Sequence, residues 1–190
     1  MTELNQYISS YFGVKSESLE KIASLFHNAH LDKGDFMLKT GHSCDQLSFI
    51  RSGLLRIFVT TERGDEVTQW ISTQGYFVTD LSGFIFDTPA RWTIQALSDA
   101  ELFTISQADY QSIGSLVPEW HEFELRFITR CFTTMEDRIF THLSMTAEER
   151  YWAFFENNKE LFNQVPLQYI ASMLGMTPET FSRIRKKASL

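Results

Sequence analysis

In the first 30 residues, apolar side chains recur every three or four positions, as they do along one face of an α-helix. Leu4, Ile8 and Tyr11 mark a first segment of this kind. A second segment carries the apolar residues Leu19, Ile22, Ala23, Leu25 and Phe26. Because Gly13 lies between the two segments, the pattern predicts two helices that are separated near this glycine.

Between Leu31 and Ile105 the pattern changes to short β-branched and aromatic runs. Glycines at positions 34, 41, 53, 64, 75 and 83 separate these runs every 7 to 12 residues. Such spacing is typical of a compact antiparallel barrel or jelly roll. The predicted strands are Leu47–Ile50, Leu54–Val59, Glu66–Ile71, Trp92–Leu97 and Glu101–Ile105. We expect the first three of them to form successive hairpins.

From Pro118 the apolar period lengthens again and predicts a helix of roughly 26 residues, about 39 Å long. One face carries an a/d seam, which we expect to be the dimer interface: Leu125, Ile128, Phe132, Met135 and Ile139. A second apolar face, expected to cover the barrel, carries Trp120, Phe123, Phe127 and Cys131. A domain of this size cannot bury both faces, so the helix predicts a homodimer. A helix that packs only within its own chain is the alternative.

A capping box ends this helix and starts another, because Thr146 and Glu149 can satisfy each other's free amide groups. Three domains follow from this boundary. They are an effector-type β-barrel domain with N-terminal helices (1–116), a dimerisation helix (117–144) and a helix-turn-helix domain (145–190). The predicted fold class is α+β.

Residues 166–187 have the order of residue types that a helix-turn-helix needs. Ala171 is small where two helices cross closely, and Gly175 can adopt the left-handed conformation of the turn. Thr177 can cap the second helix, and Pro178 suits its first position, where no amide donor is needed. The shared core is predicted to contain Ile170, Leu174, Phe181 and Ile184. A helical hairpin with a charged outer face is the alternative.

The charge of the chain favours a nucleic acid only near its end. The whole chain of 190 residues has a net charge of −7, whereas residues 165–190 contain four basic side chains and one acid. A phosphate polymer is therefore repelled by most of the chain and attracted by the predicted second helix.

Side chains near the start of that helix have the donors and acceptors that read base edges. Arg183 can donate two parallel hydrogen bonds to guanine, Glu179 can accept from the cytosine amino group, and Ser182 can reach a base or a phosphate. The basic residues that follow are suited to phosphates. The predicted DNA-binding residues are Thr177, Glu179, Thr180, Ser182, Arg183, Arg185, Lys186 and Lys187.

Composition indicates a folded protein of the cytoplasm, with 43% hydrophobic residues and two cysteines. Cys44 and Cys131 cannot build a disulfide framework or a thiolate-rich metal cluster. The N-terminus lacks the basic and apolar segments of a secretion signal, and no run approaches the length of a membrane span. We expect neither export nor a membrane partner.

Residues 30–187 resemble the Crp/Fnr superfamily of transcription regulators. Two segments carry the resemblance: the barrel signature at 41–53 and the Glu-x-x-Ser-Arg pattern formed by Glu179, Ser182 and Arg183. It implies a cyclic-nucleotide-binding-like barrel, a long dimerisation helix and a C-terminal helix-turn-helix. Double-stranded DNA, a second copy of the chain and RNA polymerase are the implied partners. Because the chain stops three residues after Lys187, we expect most of the family's wing to be missing and the salt dependence of DNA binding to be shallower.

The phosphate cassette of the family's cyclic-AMP binders is altered here. In an ungapped alignment its Gly-Glu pair falls on Thr79 and Asp80, and its Arg-Ser pair on Ala90 and Arg91. Met135 occupies the position at which the family's cyclic-AMP binders offer a polar side chain to the purine. We therefore do not expect cyclic AMP to bind. The candidate effector-pocket residues are Thr79, Asp80, Arg91, Trp92, Phe127 and Met135.

Other cofactors lack support in the sequence, and the cofactor stays unknown. No cysteine precedes residue 44, so we expect no iron-sulfur cluster of the Fnr type. His27 and His30 could share a helical face, but they lack supporting carboxylates or thiolates, and we expect no metal site.

The prediction is therefore a homodimeric, sequence-specific DNA-binding regulator that is not an enzyme, with a degenerate pocket that binds or once bound an unidentified small effector. A constitutive or protein-partnered regulator without an effector is one alternative. A cupin-like metalloenzyme is the other, although His42 is the only histidine within the strand region that starts at Leu31.

Overall fold

The computed structural model describes residues 2–14 and 16–188. The outer bounds of the first and last predicted domains, Met1 and Leu190, lie outside the described residues. Contacts divide the chain into two compact units. The first, which we call the N-terminal unit, contains the residues up to 57 together with 72–132, and the second, the C-terminal unit, contains 58–71 together with the residues from 133 onward.

Among the described elements, two helices precede a region of strands that includes the short helix α3, and further helices follow this region. In chain order they are α1 (Glu3–Phe12), α2 (Ser16–Ala23), β1 (His27–Leu31), β2 (Phe36–Leu38), β3 (Gln46–Ser52), β4 (Leu55–Thr60), β5 (Glu66–Ser72), β6 (Phe77–Val78), α3 (Leu81–Phe86), β7 (Thr93–Ala96), β8 (Ala100–Ser106), α4 (Gln107–Leu116), α5 (Trp120–Ser144), α6 (Ala147–Asn157), α7 (Leu161–Gln164), α8 (Leu167–Met173) and α9 (Pro178–Ala188).

The strands form two four-stranded sheets, in the orders β1-β8-β3-β6 and β2-β7-β4-β5. The pairs β1-β8, β3-β8, β3-β6 and β2-β7 are antiparallel. Two antiparallel-type sheets, one long helix and further helices confirm the predicted α+β fold class. The predicted pairing of β4 with β5 is also confirmed, with Thr61 and Asp65 closing the turn through a 2.8 Å backbone hydrogen bond.

The predicted hairpin between β3 and β4 is wrong, because these two strands belong to different sheets. Gly53 lies in the short connection between them. A Cβ atom at this position would lie 2.4 Å from the carbonyl oxygen of Asp99 and 2.7 Å from the Cα of Ala100. The glycine thus marks a close backbone approach where the chain changes sheet, and not a hairpin turn.

The helical reading of His27 and His30 is wrong as well, because both lie on strand β1. Pairing with β8 places His27 opposite Thr104 and His30 opposite Glu101. Side chains three positions apart on a strand point to opposite faces, so the two imidazoles do not share one. His30 lies between Asp32 and Glu101, whose hydrogen bonds raise the pKa of its imidazole.

The N-terminal unit has an aromatic core to which the first half of α5 contributes. Trp120 and Phe127 are buried, and their ring centroids lie 4.9 and 4.6 Å from that of Phe12. Phe127 also contacts Phe77 at 4.8 Å, and Trp120 contacts Tyr110 at 5.5 Å. Two of the residues predicted to cover the barrel therefore lie in the core of this unit.

The C-terminal unit is built on a second aromatic cluster. Tyr151 of α6 contacts Phe181 of α9 at 5.1 Å and Phe162 at 5.6 Å between ring centroids. The predicted capping box at the start of α6 is present, because Thr146 accepts from the amide of Glu149 while the Glu149 carboxylate accepts from the amide of Thr146. None of the helices in the described part of the chain is long and apolar enough to cross a membrane.

Candidate nucleic-acid interface

The turn between α8 and α9 has the geometry that the sequence predicts. Gly175 adopts the left-handed conformation with φ of 67°, which a residue with a side chain rarely adopts. The hydroxyl of Thr177 accepts a 3.2 Å hydrogen bond from the amide of Thr180, and Pro178 is the first residue of α9. Together, these residues set the direction in which α9 leaves the turn.

The apolar side of the helix pair is buried as predicted. Ile170 and Ala171 are completely buried where the two helices cross. Phe181 and Ile184 bury the facing side of α9, and Leu174 closes the core at the turn. Because one side of α9 is fixed in this core, its opposite side must face outward.

The outward side of α9 carries the predicted DNA-binding residues. Ser182 and Arg183 lie three and four residues after Glu179, and Lys186 lies four and three residues after them, which is the spacing of a single helical face. Together with Lys187 they line a shallow, open depression. Of the eight predicted residues, Thr180 is half-buried. The other seven are exposed: Thr177, Glu179, Ser182, Arg183, Arg185, Lys186 and Lys187.

Charges on this face are mostly unneutralised. Neither Arg183 nor Lys186 has an ion-pair partner within residues 2–14 and 16–188. Glu179 lies in the first turn of α9, and hydrogen bonds from its own amide and from Thr177 lower the pKa of its carboxyl. The face therefore offers two cations and an ionised acceptor to a ligand.

A feature that the sequence reasoning missed lies beside this face, at the start of α6. The ammonium of Lys187 is 3.8 Å from the carboxylate of Glu148, and both side chains are exposed. Thr146, Ala147 and Glu148 line a second open depression together with residues of α9: Thr180, Arg183, Ile184 and Lys187. No local pattern could have indicated this pairing, because Glu148 and Lys187 belong to different helices.

Two arginines that the sequence reasoning also missed cap the end of α8. Arg150 donates from Nε to the carbonyl of Leu174 at 3.0 Å and from Nη1 to that of Met145 at 2.7 Å. Arg138 donates from Nη2 to the carbonyl of Met173 at 3.1 Å. The last carbonyls of a helix lack partners within it, so the two guanidiniums hold the turn that precedes α9.

The cassette residues of the predicted effector pocket are occupied by contacts within the protein. Asp80 is completely buried, caps α3 by accepting from the amide of Gly83 at 3.1 Å, and accepts from the amide of Arg91 at 2.7 Å. The hydroxyl of Thr79 donates to the carbonyl of Gln46 at 2.8 Å. Every oxygen that a ligand would need from these two side chains already has a partner.

Four of the six pocket candidates lie close to one another, namely the adjacent pairs Thr79–Asp80 and Arg91–Trp92. The guanidinium of Arg91 lies 3.7 Å from the carboxylate of Asp80 and 6.0 Å from the ring centroid of Trp92, and it is 61% exposed. Phe127 belongs instead to the aromatic core of the N-terminal unit. Met135 is exposed on α5, in the C-terminal unit.

All five seam residues of α5 are exposed in the single chain, with Leu125 at 67% and Phe132 at 63%. The sequence reasoning missed Leu143, which is 82% exposed and lies four residues after Ile139 on the same face. Exposed apolar stripes of this length mark an interaction surface. Within the described residues, no group of three or more His, Cys, Asp or Glu side chains could hold a metal ion.

The chain is similar to known proteins in both sequence and fold. A sequence model of the cyclic nucleotide-binding domain matches residues 29–115. The fumarate and nitrate reduction regulatory protein of Yersinia pestis is 26% identical over an alignment of 187 residues, and the match covers 91% of this chain and 73% of that protein.

Two solved structures extend the likeness to the fold. FixK2 from Bradyrhizobium japonicum has a TM-score of 0.72 at 14% identity and covers 85% of this chain and 83% of its own. The catabolite activator protein of Thermus thermophilus has a TM-score of 0.59 at 19% identity and covers 96% of this chain and 86% of its own. At these identities the two structures show that the chain shares their fold. The matched domain, the related regulator and the shared fold support the interpretation of this chain as a transcription regulator of the Crp/Fnr superfamily.

Proposed function

We propose that this protein binds DNA in a sequence-specific manner as a homodimer, with α9 as the recognition helix. The observation that supports this most directly is the outward face of α9. Arg183 lies there without an ion-pair partner among the described residues, on one helical face with Glu179 and Ser182. A guanidinium in this position is available for the two acceptors of guanine in the major groove.

The remaining residues divide into base contacts and phosphate contacts. Glu179 accepts from a cytosine amino group, and Ser182 reaches a base edge or a phosphate. Arg185, Lys186 and Lys187 neutralise phosphates and supply affinity that depends on salt but not on sequence. Thr177 and Thr180, at the start of α9, add hydroxyl groups near the backbone of the duplex.

The dimer arises from the seam of α5. Two copies of the helix bury their apolar stripes against each other, which places two recognition helices about 34 Å apart, one turn of DNA. The domain division at 116 and 144 assigns the barrel to sensing, the long helix to dimerisation and the last helices to DNA. RNA polymerase is the further partner that a regulator of this superfamily requires.

Regulation by cyclic AMP is not part of this proposal. Asp80 holds the backbone of α3 and of Arg91, and releasing it for a sugar hydroxyl would leave a completely buried carboxylate without these donors. This favours either a different small effector or, as a second candidate function, a regulator that acts without one. Both candidates keep the same DNA-binding face.

Selection from random duplexes, followed by fluorescence anisotropy on the selected operator, tests the proposal. Arg183→Ala should abolish the preference for guanine at one position of each half-site, at a cost of about 1–3 kcal/mol. Lys187→Ala should weaken binding to all sequences alike and reduce the salt slope by about one. Unchanged guanine preference in Arg183→Ala, or wild-type protein that does not bind duplexes at low salt, would contradict the proposal.

A further inference from the structure

One guanidinium joins three elements of the C-terminal unit. Arg138 extends from α5, donates to the carbonyl of Met173 at the end of α8, and donates from Nη1 to the carbonyl of Gln69 on β5. Its guanidinium carbon lies 5.2 Å from the ring centroid of Trp70, also on β5. A single side chain therefore connects the long helix, a strand of the second sheet and the first helix of the DNA-binding pair.

A second bond reinforces the connection between β5 and α8. The amide of Thr68 donates to the hydroxyl of Ser172 at 2.9 Å. Ser172 and Met173 are consecutive residues at the end of α8, just before the turn that directs α9. The end of α8 is thus held from both β5 and α5.

The chemistry of this connection requires arginine. Its planar guanidinium presents N–H groups in several fixed directions, so it can serve two carbonyls on different elements while its face stacks on an indole. A lysine ammonium on a flexible stem lacks this geometry. Burial lowers the pKa of Arg138 below its ordinary value, because the guanidinium is partly removed from water where it makes these contacts.

We infer that Arg138 is the positioning residue that fixes α8 and α9 relative to the second half of α5, and thereby the spacing of operator half-sites that the dimer accepts. This inference rests on the proposed function. Since Arg138 lies on α5 and contacts the end of α8, and is not part of the outward face of α9, it affects the direction of the recognition helix but touches no base. Loss of Arg138 therefore weakens the preference for one spacing of the half-sites and leaves the base preference within each half-site unchanged.

The experiment compares full-length wild-type protein with Arg138→Met, Arg138→Lys and Ser172→Ala. Fluorescence anisotropy measures the affinity for the selected operator, for the same operator with its spacer lengthened or shortened by one and two base pairs, and for a single half-site. Arg126→Met is the matched control, because Arg126 is an exposed arginine of the same helix that lies 5.9 Å from the ring of Phe123. Thermal unfolding and light scattering show whether each variant is folded and dimeric.

For Arg138→Met we expect the preference for the selected spacer over the altered ones to fall by at least about fivefold, as expected for the loss of two hydrogen bonds to a charged group. Its half-site affinity should stay within about twofold of wild type, and the base preference at each position should not change. Arg138→Lys and Ser172→Ala should relax the spacer preference less, and Arg126→Met should behave as wild type.

Two results would overturn the inference. The first is a folded, dimeric Arg138→Met that binds DNA and keeps the wild-type spacer preference. The second, which decides the case if Arg138→Met does not fold, is an unchanged spacer preference in both Arg138→Lys and Ser172→Ala. Wild-type protein that ignores duplexes would instead refute the proposed function itself, so the two failures are distinguishable.

Discussion

Two acidic residues of this protein have opposite roles because their surroundings differ. Asp80 is completely buried, and both of its oxygens accept hydrogen bonds from backbone amides, so it stabilises a local fold. Glu179 is exposed in the first turn of α9, and the hydrogen bonds that lower the pKa of its carboxyl keep it ionised. Only the second carboxylate is available to another molecule.

Glu148 gives a prediction at the scale of one residue. Its carboxylate holds the ammonium of Lys187 at 3.8 Å beside the proposed DNA-binding face and would repel an approaching phosphate. Glu148→Gln should therefore bind DNA more tightly than wild type, by roughly two- to fivefold at low salt, as expected for an exposed ion pair. Anisotropy titrations at several salt concentrations measure this effect.

The gain should shrink at high salt, because the interaction is screened. Glu156→Gln removes the same charge at the other end of α6 and serves as the control, with an expected change well below that of Glu148→Gln. Equal affinities of Glu148→Gln and wild type at low salt would show that Glu148 does not restrain Lys187.

Helix α6 is stabilised by hydrogen bonds within its first turn. The carboxylate of Glu149 accepts from the amide of Thr146 at 2.7 Å and from its hydroxyl at 2.8 Å. These two bonds lower the pKa of Glu149 in the folded protein below its ordinary value of 4.5. The bonds that the Glu149 carboxyl accepts therefore stabilise the fold more when this carboxyl is ionised than when it is protonated.

The sign of the pH dependence follows from this shift. A carboxyl whose pKa is lower in the folded than in the unfolded protein contributes stability above its unfolded pKa, and this contribution is lost as the pH falls through the folded pKa. Glu149→Gln should thus reduce the free energy of unfolding at pH 7 and have a smaller effect at pH 3. Urea unfolding at the two pH values, with Glu156→Gln as the control, measures the difference. An equal effect at both pH values would be incompatible with a role of the ionised carboxylate.

Arginine side chains connect helices that are far apart in the chain. Arg150 and Arg138 both donate to the last carbonyls of α8, one from α6 and the other from α5. Gly175 supplies the left-handed residue of the turn, and its Cα lies close enough to α5 that an added Cβ would be 3.4 Å from the ring of His142. The direction of α9 is therefore set by its neighbours as well as by the turn itself.

At the scale of the molecule, the exposed stripe of α5 predicts how the chain associates. Phe132→Glu places a charge in the middle of the seam and should convert the proposed dimer to a monomer, because burying an unpaired carboxylate against its twin is unfavourable. Analytical ultracentrifugation at micromolar concentration measures this. Phe86→Glu changes a phenylalanine on α3 that is at least as exposed as Phe132, and it should leave the sedimentation mass unchanged.

The monomer should also bind a single half-site but lose the gain in affinity that a palindromic operator gives the dimer. Phe132→Glu protein that sediments as a dimer would show that the seam is not the interface.

The sequence by itself determined the features that arise from neighbouring residues. The capping box, the left-handed glycine with the capping threonine after it, and the two apolar faces of α5 involve residues within one or a few turns of each other, so their spacing is visible in the chain. The structure confirms the capping box, the turn geometry and the buried core of the helix pair.

Tertiary structure decided the rest, because it concerns partners that are distant in the chain. His27 and His30 became part of a strand only through pairing with β8, and β3 and β4 joined different sheets at Gly53, where the backbone of Asp99 passes closely. The contacts of Arg138 and of Glu148 join residues 35 and more positions apart. Such contacts leave no periodic trace in the sequence, since each depends on packing that forms only when the whole unit has folded.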